Sequence, residues 1–177
     1  MTDLEKLTMR TAIDLVSWQE AAWNKHGGIV VENVPGDPGG DTYLGIDKRD
    51  NPGFDFNNTT PEKGWADYEA EWQEHNYGLL PPALAVCVFS AGVNRGHVTA
   101  IKILQGAAGV EQDGLIGPLT AASARSISVK SFCDAWERHY HSLIPTLEHR
   151  FIKGWDARVE QAELMAGVVK FYEPEVE

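Results

Sequence analysis

Glycine and proline cluster between Gly27 and Pro61, and this segment limits most strongly what the chain can fold into. The cluster consists of Gly27-Gly28, Pro35-Gly36, Pro38-Gly39-Gly40 and Pro52-Gly53. Both residue types interrupt helices and favour turns, so we expect a loop-rich lobe here. A short apolar run, Ile29–Val31, allows at most a small hairpin within it.

The segments around this lobe have helical periodicity. A first amphipathic helix is predicted from Leu4 to about Trp23. A second begins with Thr60 as N-cap and Pro61 as its first residue. The apolar run Ala83–Phe89 predicts a buried central helix. Further helices are predicted at His97–Ala107, Pro118–Ile127, Ser131–Leu143 and about Thr146–Val169, before an acidic, frayed end. The result is a mainly α protein with a small β/loop lobe and a cleft between lobe and helical body, a common place for a ligand site.

Composition excludes several classes of function. The net charge of −11 argues against nucleic acid as a partner, because phosphates need a basic face. No run of about 18–20 apolar residues predicts a membrane span. The first residues, Met1–Lys6, lack the basic start and apolar stretch of a signal peptide, so we expect synthesis in the cytoplasm without one. A chain of 177 residues fits one domain, and we expect a monomer.

The cysteines and histidines predict neither a metal site nor a cofactor. Cys87 and Cys133 lie in apolar helical segments and are expected to be buried free thiols. His139 and His141 do not share a helical face, and no His-Glu-x-x-His motif is present. Trp18, Trp72, Trp136 and Trp155 fall at helical spacings that suit a core, and we expect most of the tryptophans to be packed there.

The loop Asp37–Thr42 has the composition of a chemical site and also that of an ordinary acidic turn. Two carboxylates and a hydroxyl lie within six residues, around the adjacent glycines Gly39 and Gly40. Such glycines let the backbone approach a ligand closely. Aspartate, proline and glycine are equally the favoured turn formers, so residue types alone do not decide between the two.

The order of motifs is more specific. Asp-Pro-Gly-Gly-x-Thr-x-x-Gly-Ile at residues 37–46 resembles the signature of glycoside hydrolase family 108, the phage-associated N-acetylmuramidases. Similar segments follow in the same order at residues 47–52, 68–72, 80–96, 113–120 and 151–158, so that the resemblance covers roughly residues 10–165. The resemblance implies a lysozyme-like fold, with a muramidase region at 1–108 and a helical, peptidoglycan-binding-like region at 109–177 packed on it as one unit.

That resemblance implies hydrolysis of the β-1,4 bond between N-acetylmuramic acid and N-acetylglucosamine, by a phage or prophage endolysin or a virion lysin acting on peptidoglycan glycan strands. Glycosidic cleavage needs a general acid and usually a second carboxylate. Asp37 and Thr42 match the family's loop aspartate and threonine, which position the attacking water. Tyr43, Asn94 and Asp113 match positions expected to contact substrate.

The general acid does not match directly. The family places it in Glu-Gly-Gly-Tyr about nine residues before the loop aspartate, whereas His26 precedes the Gly-Gly pair here. In one alignment Glu20 is the acid, at the end of the first helix, and about eight residues are inserted after it. In another, His26 replaces the acid, and the protein is an impaired, peptidoglycan-binding component of a virion or secretion apparatus. Glu32 is a third candidate for the acid.

Several of these residues also have purely structural explanations. Asn94 is suited to cap a helix beside Gly96, and Tyr43 to ordinary packing. Residues 113–120 suit either glycan binding or a simple turn before a helix. The acidic charge also opposes long-range attraction to a bacterial wall, which is itself anionic.

Overall fold

The computed structural model describes residues 1–20, 30–33, 40–49, 51–143 and 152–172. In chain order these residues form α1 (Asp3–Glu20), β1 (Glu32–Asn33), β2 (Asp41–Tyr43), β3 (Ile46–Asp47), α2 (Pro61–Glu74), a short 3-10 turn (Tyr77–Leu79), α3 (Pro82–Arg95), α4 (His97–Ala108), α5 (Pro118–Ala124), α6 (Val129–Ser142) and α7 (Ile152–Phe171). The predicted architecture, a mainly helical body with a small β-lobe, is confirmed.

Helix α3 lies at the centre of the helical body. Every residue from Ala83 to Gly92 is buried, as the apolar run predicts. It packs against α1, α4, α6 and α7. The core therefore contains side chains from both sides of residue 108, from Met9 to Val169. The division into regions 1–108 and 109–177 stays a prediction.

The β-lobe is a three-stranded antiparallel sheet in the order β1-β2-β3. Its first strand comprises Glu32 and Asn33, one residue beyond the predicted apolar run. Of that run, Ile29 lies outside the described residues, and Val30 and Val31 are exposed and outside the strand. Val30 and Val31 precede the two residues that pair with β2, so they lie outside the sheet.

The predicted start of α2 is confirmed, whereas the predicted start of the last helix at Thr146 lies outside the described residues. At the start of α2, the Thr60 hydroxyl accepts a hydrogen bond from Lys63 N, and Pro61 is the first helical residue. Helix α1 is described to Glu20, so the predicted extension to Trp23 lies outside the described residues.

Prediction of the core from aromatic spacing was correct except at Trp18. Trp72 and Trp136 are buried, and Trp155 is partly buried against the core. Trp18 is 54% exposed, so its assignment to the core was wrong. Leu15 and Thr11, three and seven positions earlier on the same side of α1, are buried, so helical spacing alone does not account for the exposure of Trp18.

The two cysteines are buried and free, as predicted. A hydrogen bond with the Cys133 thiol and burial both raise the pKa of the Cys87 thiol. None of the helices in the described part of the chain combines the length and the apolar character required to span a bilayer.

Candidate active site

The tip of the β2–β3 hairpin is a two-residue turn made by Leu44 and Gly45. Both have positive φ, 53° and 80°, as a type I′ turn requires. Positive φ is strained for leucine, and contacts with α2 hold it there. The Leu44 carbonyl accepts a hydrogen bond from the buried Tyr68 hydroxyl. A Cβ at Gly64 would lie 2.7 Å from Leu44 Cδ1, so a larger residue there would require the leucine side chain to shift.

The same turn touches the end of α1. A Cβ built on Gly45 would lie 2.8 Å from Cγ of Glu20 and 3.2 Å from its Cδ. Glycine at this position therefore satisfies both the positive φ and the close approach of the glutamate. As a result, Glu20 lies directly against the hairpin whose preceding strand contains Thr42.

Glu20 forms an ion pair with Arg158 of α7. Glu20 Oε1 lies 2.6 Å from Arg158 Nη1, although the two groups are not aligned as a regular hydrogen bond. Both side chains are largely buried, at 21% and 13% exposed.

The neighbouring Gln19 holds this arrangement in place. Its Oε1 accepts from Arg158 Nη1 at 3.2 Å and from the Ser90 hydroxyl at 2.7 Å, and its Nε2 donates to the Arg158 carbonyl at 3.2 Å. The network joins α1, α3 and α7, so the position of Glu20 is fixed by the helical body as well as by the lobe.

Thr42 lies in a row of polar side chains across the β-lobe. It pairs with Glu32 on one side and with Asp47 on the other. Residues directly opposite one another in an antiparallel sheet share a face, so two carboxylates flank the Thr42 hydroxyl. Asp41 is instead used within the lobe, where it accepts from Asn33 Nδ2 and Lys48 Nζ, each at 2.9 Å. These contacts lower the pKa of Asp41, the hydrogen bond from Asn33 most strongly.

A cleft of about 510 Å³ separates the hairpin from the ends of α2, α3 and α4. Its walls include Gly45 and Asp47 of the lobe and Tyr68, Glu71, Asn94 and His97 of the helical body. Asp47 thereby connects the polar row of the sheet to the cleft. The predicted cleft between lobe and helices is therefore present, and the turn that touches Glu20 forms part of its wall.

Asn94 is held in the cleft by the core behind it. Its Oδ1 accepts a hydrogen bond from the Tyr140 hydroxyl at 2.7 Å. Burial raises the pKa of Tyr140 to about 12, so the phenol keeps its proton and donates. The amide Nδ2 of Asn94 is then the group left to donate.

The other predicted site residues lie in different settings. Asp37 lies outside the described residues, as does His26. The Tyr43 ring is 2% exposed and stacks on Phe54 with centroids 6.2 Å apart, as the packing alternative expects. Glu32 is exposed at the edge of the sheet.

Asp113 belongs to a loop between α4 and α5 and does not line the cleft. Its Oδ1 accepts from Gln105 Nε2 at 2.6 Å and from Leu115 N at 2.9 Å. The buried Gln105 amide also bonds to the Leu115 carbonyl, the Thr120 hydroxyl and Gly114 N. These bonds make the loop a well-defined turn before α5, and contact between Asp113 and substrate stays a prediction.

No group of three or more His, Cys, Asp or Glu side chains is arranged to hold a metal ion, as far as the described residues extend.

The family comparison covers the part of the chain that builds this site. Residues 20–96 match the model of glycosyl hydrolase 108. The match begins at Glu20 and ends at Gly96, and so spans the hairpin, α2 and α3. The match indicates a protein that resembles glycoside hydrolases and is related to peptidoglycan.

The whole chain is also similar to a solved structure, titled "Structure of Brucella abortus SagA". The two share 24% sequence identity with a TM-score of 0.73, over 97% of this chain and 99% of that one. At this identity the likeness concerns the fold, and it agrees with the predicted mainly α, lysozyme-like architecture. No curated protein sequence is close enough to this chain to count as a match.

Sequence reasoning missed three residues that the structure brings to the site. Arg158 lies in a recognised motif, yet nothing local indicates that it pairs with Glu20. Glu71 and His97 line the cleft from two different helices. They lie on different helices, α2 and α4, and His97 Nε2 is 3.2 Å from Glu71 Oε2.

Proposed function

We propose that this protein is a peptidoglycan N-acetylmuramidase that cleaves the β-1,4 bond between N-acetylmuramic acid and N-acetylglucosamine, with Glu20 as general acid. The observation that carries the proposal is the position of Glu20. Its side chain lies against the hairpin turn that also borders the cleft, and it is the first residue of the family match.

Chemically, Glu20 takes up a proton from water before the reaction, donates it to the leaving glycosidic oxygen and returns to the carboxylate that pairs with Arg158. Arg158 lies where it stabilises that carboxylate and fixes its direction. A glutamate on a rigid helix, supported by Gln19 and Ser90, meets the need for a pre-organised catalytic group.

The Thr42 hydroxyl, one strand residue before the buried Tyr43, is proposed to hold the attacking water together with Asp37. Support comes from its row on the sheet, because the neighbouring Asp47 lines the cleft. We further propose that Asn94 donates its amide hydrogen to the glycan, since the Tyr140 hydroxyl already occupies its oxygen.

In a biological setting we propose a role as a phage or prophage endolysin or a virion lysin, acting on the wall of a bacterial host. A glycoside-hydrolase-like chain with a cleft of this size suits a polymer of amino sugars.

Clearing of purified cell walls tests the proposal. Wild-type protein should lower the turbidity of a wall suspension, and Glu20→Gln should abolish this while keeping the melting temperature close to that of wild type. Glu69→Gln, an exposed glutamate on α2, is the matched control and should clear walls at the wild-type rate. Thr42→Val keeps the side-chain shape but lacks the hydroxyl, and should be about a hundredfold slower or more.

Product chemistry separates this activity from other wall hydrolases. Reduction of the released fragments with borohydride should convert muramic acid, and not glucosamine, into its alcohol. Clearing by Glu20→Gln at the wild-type rate would show that another residue, such as Glu32, is the acid. Wild-type protein that sediments with walls without clearing them would support the impaired, binding-only alternative.

A further inference from the structure

We propose that Glu71 is a substrate-binding residue of the cleft, accepting a hydrogen bond from the acetamido N–H of an N-acetylated amino sugar, with His97 and Tyr77 as its positioning residues. This inference rests on the proposed function, because it places the glycan in the same cleft. It concerns a different wall of that cleft from the one that contacts Glu20.

Three side chains form a line that runs from the core to the cleft. The Tyr77 hydroxyl lies 2.8 Å from His97 Nδ1, and His97 Nε2 lies 3.2 Å from Glu71 Oε2. Tyr77 is fully buried, His97 is 13% exposed, and Glu71 is 31% exposed where it borders the cleft. The carboxylate therefore stands at the open end of a buried polar chain.

The Tyr77 hydroxyl shares a hydrogen bond with His97 Nδ1, and the direction of this bond depends on the imidazole tautomer. Burial raises the pKa of Tyr77 well above its ordinary value, so the phenol keeps its proton. In the tautomer with Nδ1 as acceptor, His97 carries its proton on Nε2, facing Glu71 Oε2. The contact holds one carboxylate oxygen, although its alignment falls short of a regular hydrogen bond. The other oxygen is the acceptor proposed for the ligand.

Packing around the imidazole shows that its position is closely fixed. A Cβ on Gly92 would lie 2.5 Å from both His97 Nδ1 and the Tyr77 hydroxyl oxygen. A larger residue at that position of α3 would therefore displace one of these two side chains. The His75 ring stacks on the His97 ring at 4.4 Å, with an interplanar angle of 22°. An imidazole held this tightly is suited to orient a carboxylate, which argues against Glu71 being simply a solvated surface group.

The chemistry of the cleft walls points to the ligand class. Glu71 offers a hydrogen-bond acceptor, and Asn94 offers an amide donor once its oxygen is occupied by Tyr140. An acetamido group carries one donor, its N–H, and one acceptor, its carbonyl. A cleft that presents a complementary acceptor and donor therefore suits an N-acetylated sugar better than a plain glucan.

Binding of soluble oligosaccharides tests this. Tri-N-acetylglucosamine is titrated into the Glu20→Gln protein, with affinity measured by calorimetry and the His97 ring signals followed by NMR. Adding Glu71→Gln should weaken binding about tenfold and remove the ligand-induced shift of the His97 signals. Adding Tyr77→Phe, which removes only the hydroxyl, should weaken binding severalfold. Glu69→Gln, two positions away on the same helix, should change neither quantity. Cellotriose, which lacks acetamido groups, should bind weakly and be insensitive to Glu71→Gln.

The proposal is overturned if Glu71→Gln binds the trisaccharide as tightly as its parent, or if the parent does not bind it. Equal losses with cellotriose would overturn the assignment to the acetamido group. The proposed function fails separately, because it depends on wall clearing by Glu20. Normal clearing by Glu20→Gln, with binding still sensitive to Glu71→Gln, would reject the acid and keep the sugar site.

Discussion

Arg158 Nη1 lies 2.6 Å from Glu20 Oε1, and this ion pair joins α7 to the end of α1. The pair lies behind the hairpin turn, where Gly45 contacts the same glutamate. Both side chains are largely shielded from water, so each charge depends on the other to offset its loss of hydration.

Replacing Arg158 should therefore impair both stability and activity. Arg158→Gln leaves Glu20 without its counter-charge, and we expect unfolding to become easier by about 2 kcal/mol, less than for a fully buried pair. Wall clearing should fall at least about tenfold, because the carboxylate loses its orientation. Urea unfolding and turbidity assays measure the two effects. Arg125→Gln, at an exposed arginine, is the control. Full activity in Arg158→Gln would mean that the ion pair is only structural.

Two glycines with positive φ separate backbone strain from contact with Glu20. Gly45→Ala should lose about 1–3 kcal/mol of stability, because φ is 80° and the new methyl would lie 2.8 Å from Glu20 Cγ. It should also lose most wall clearing, since Glu20 must move. Gly109→Ala, at the end of α4 and away from the cleft, has a φ of 67° with nothing within 4 Å, so it should show only the backbone cost and keep its activity. Equal activity in the two variants would contradict the placement of Glu20.

Acid should weaken the loop that contains Asp113. Hydrogen bonds from Gln105 and from Leu115 N lower the pKa of Asp113 below its usual value near 4. The ionised carboxylate thus stabilises the folded state above about pH 4, and that contribution disappears as the pH falls through the lowered pKa.

In urea unfolding at several pH values, Asp113→Asn should therefore be less stable than wild type at pH 6, and the difference should shrink below about pH 4. Glu111→Gln, in the same loop, should show no such trend. A difference that stayed constant down to pH 2 would rule out the charge as its source.

Salt should accelerate wall clearing at low ionic strength. The protein has a net charge of −11, and bacterial walls are anionic, so the two repel each other at long range. Raising the salt concentration from about 10 to 150 mM shortens the screening length from about 30 to 8 Å. Initial clearing rates should rise over this range, whereas binding of the neutral tri-N-acetylglucosamine should change little. A steady fall in clearing rate with added salt would instead indicate a local basic contact with the wall.

Local sequence signals predicted most of the helices. The N-cap at Thr60, the proline at the start of α2 and the apolar run of α3 each act within a few residues, and each is found as expected. Trp18 was misplaced because helical spacing puts it on the same side as the buried Leu15 but does not show how far along α1 the core extends. The strand at Glu32 was displaced from the apolar run because pairing with β2, and not hydrophobicity, sets its position.

Candidate site residues were predicted only where a contiguous motif contains them. Thr42 and Asn94 belong to such motifs, and Glu20 was reached by aligning one of them with an insertion. Arg158, Glu71 and His97 could not be found in this way, because their partners lie on other helices. Their roles depend on how α7 and α4 pack, which short-range patterns do not encode.

Helix α7 has a consequence for the newly made chain. Synthesis starts at the N-terminus, so α1 and the hairpin leave the ribosome long before Arg158 does. Until α7 packs against α1 and α3, Glu20 lacks its arginine partner and Gln19 lacks its contact with the Arg158 carbonyl. An N-terminal fragment that ends before α7 therefore contains the loop motif and Glu20 without its arginine partner, and the candidate site becomes complete only after α7 has been made.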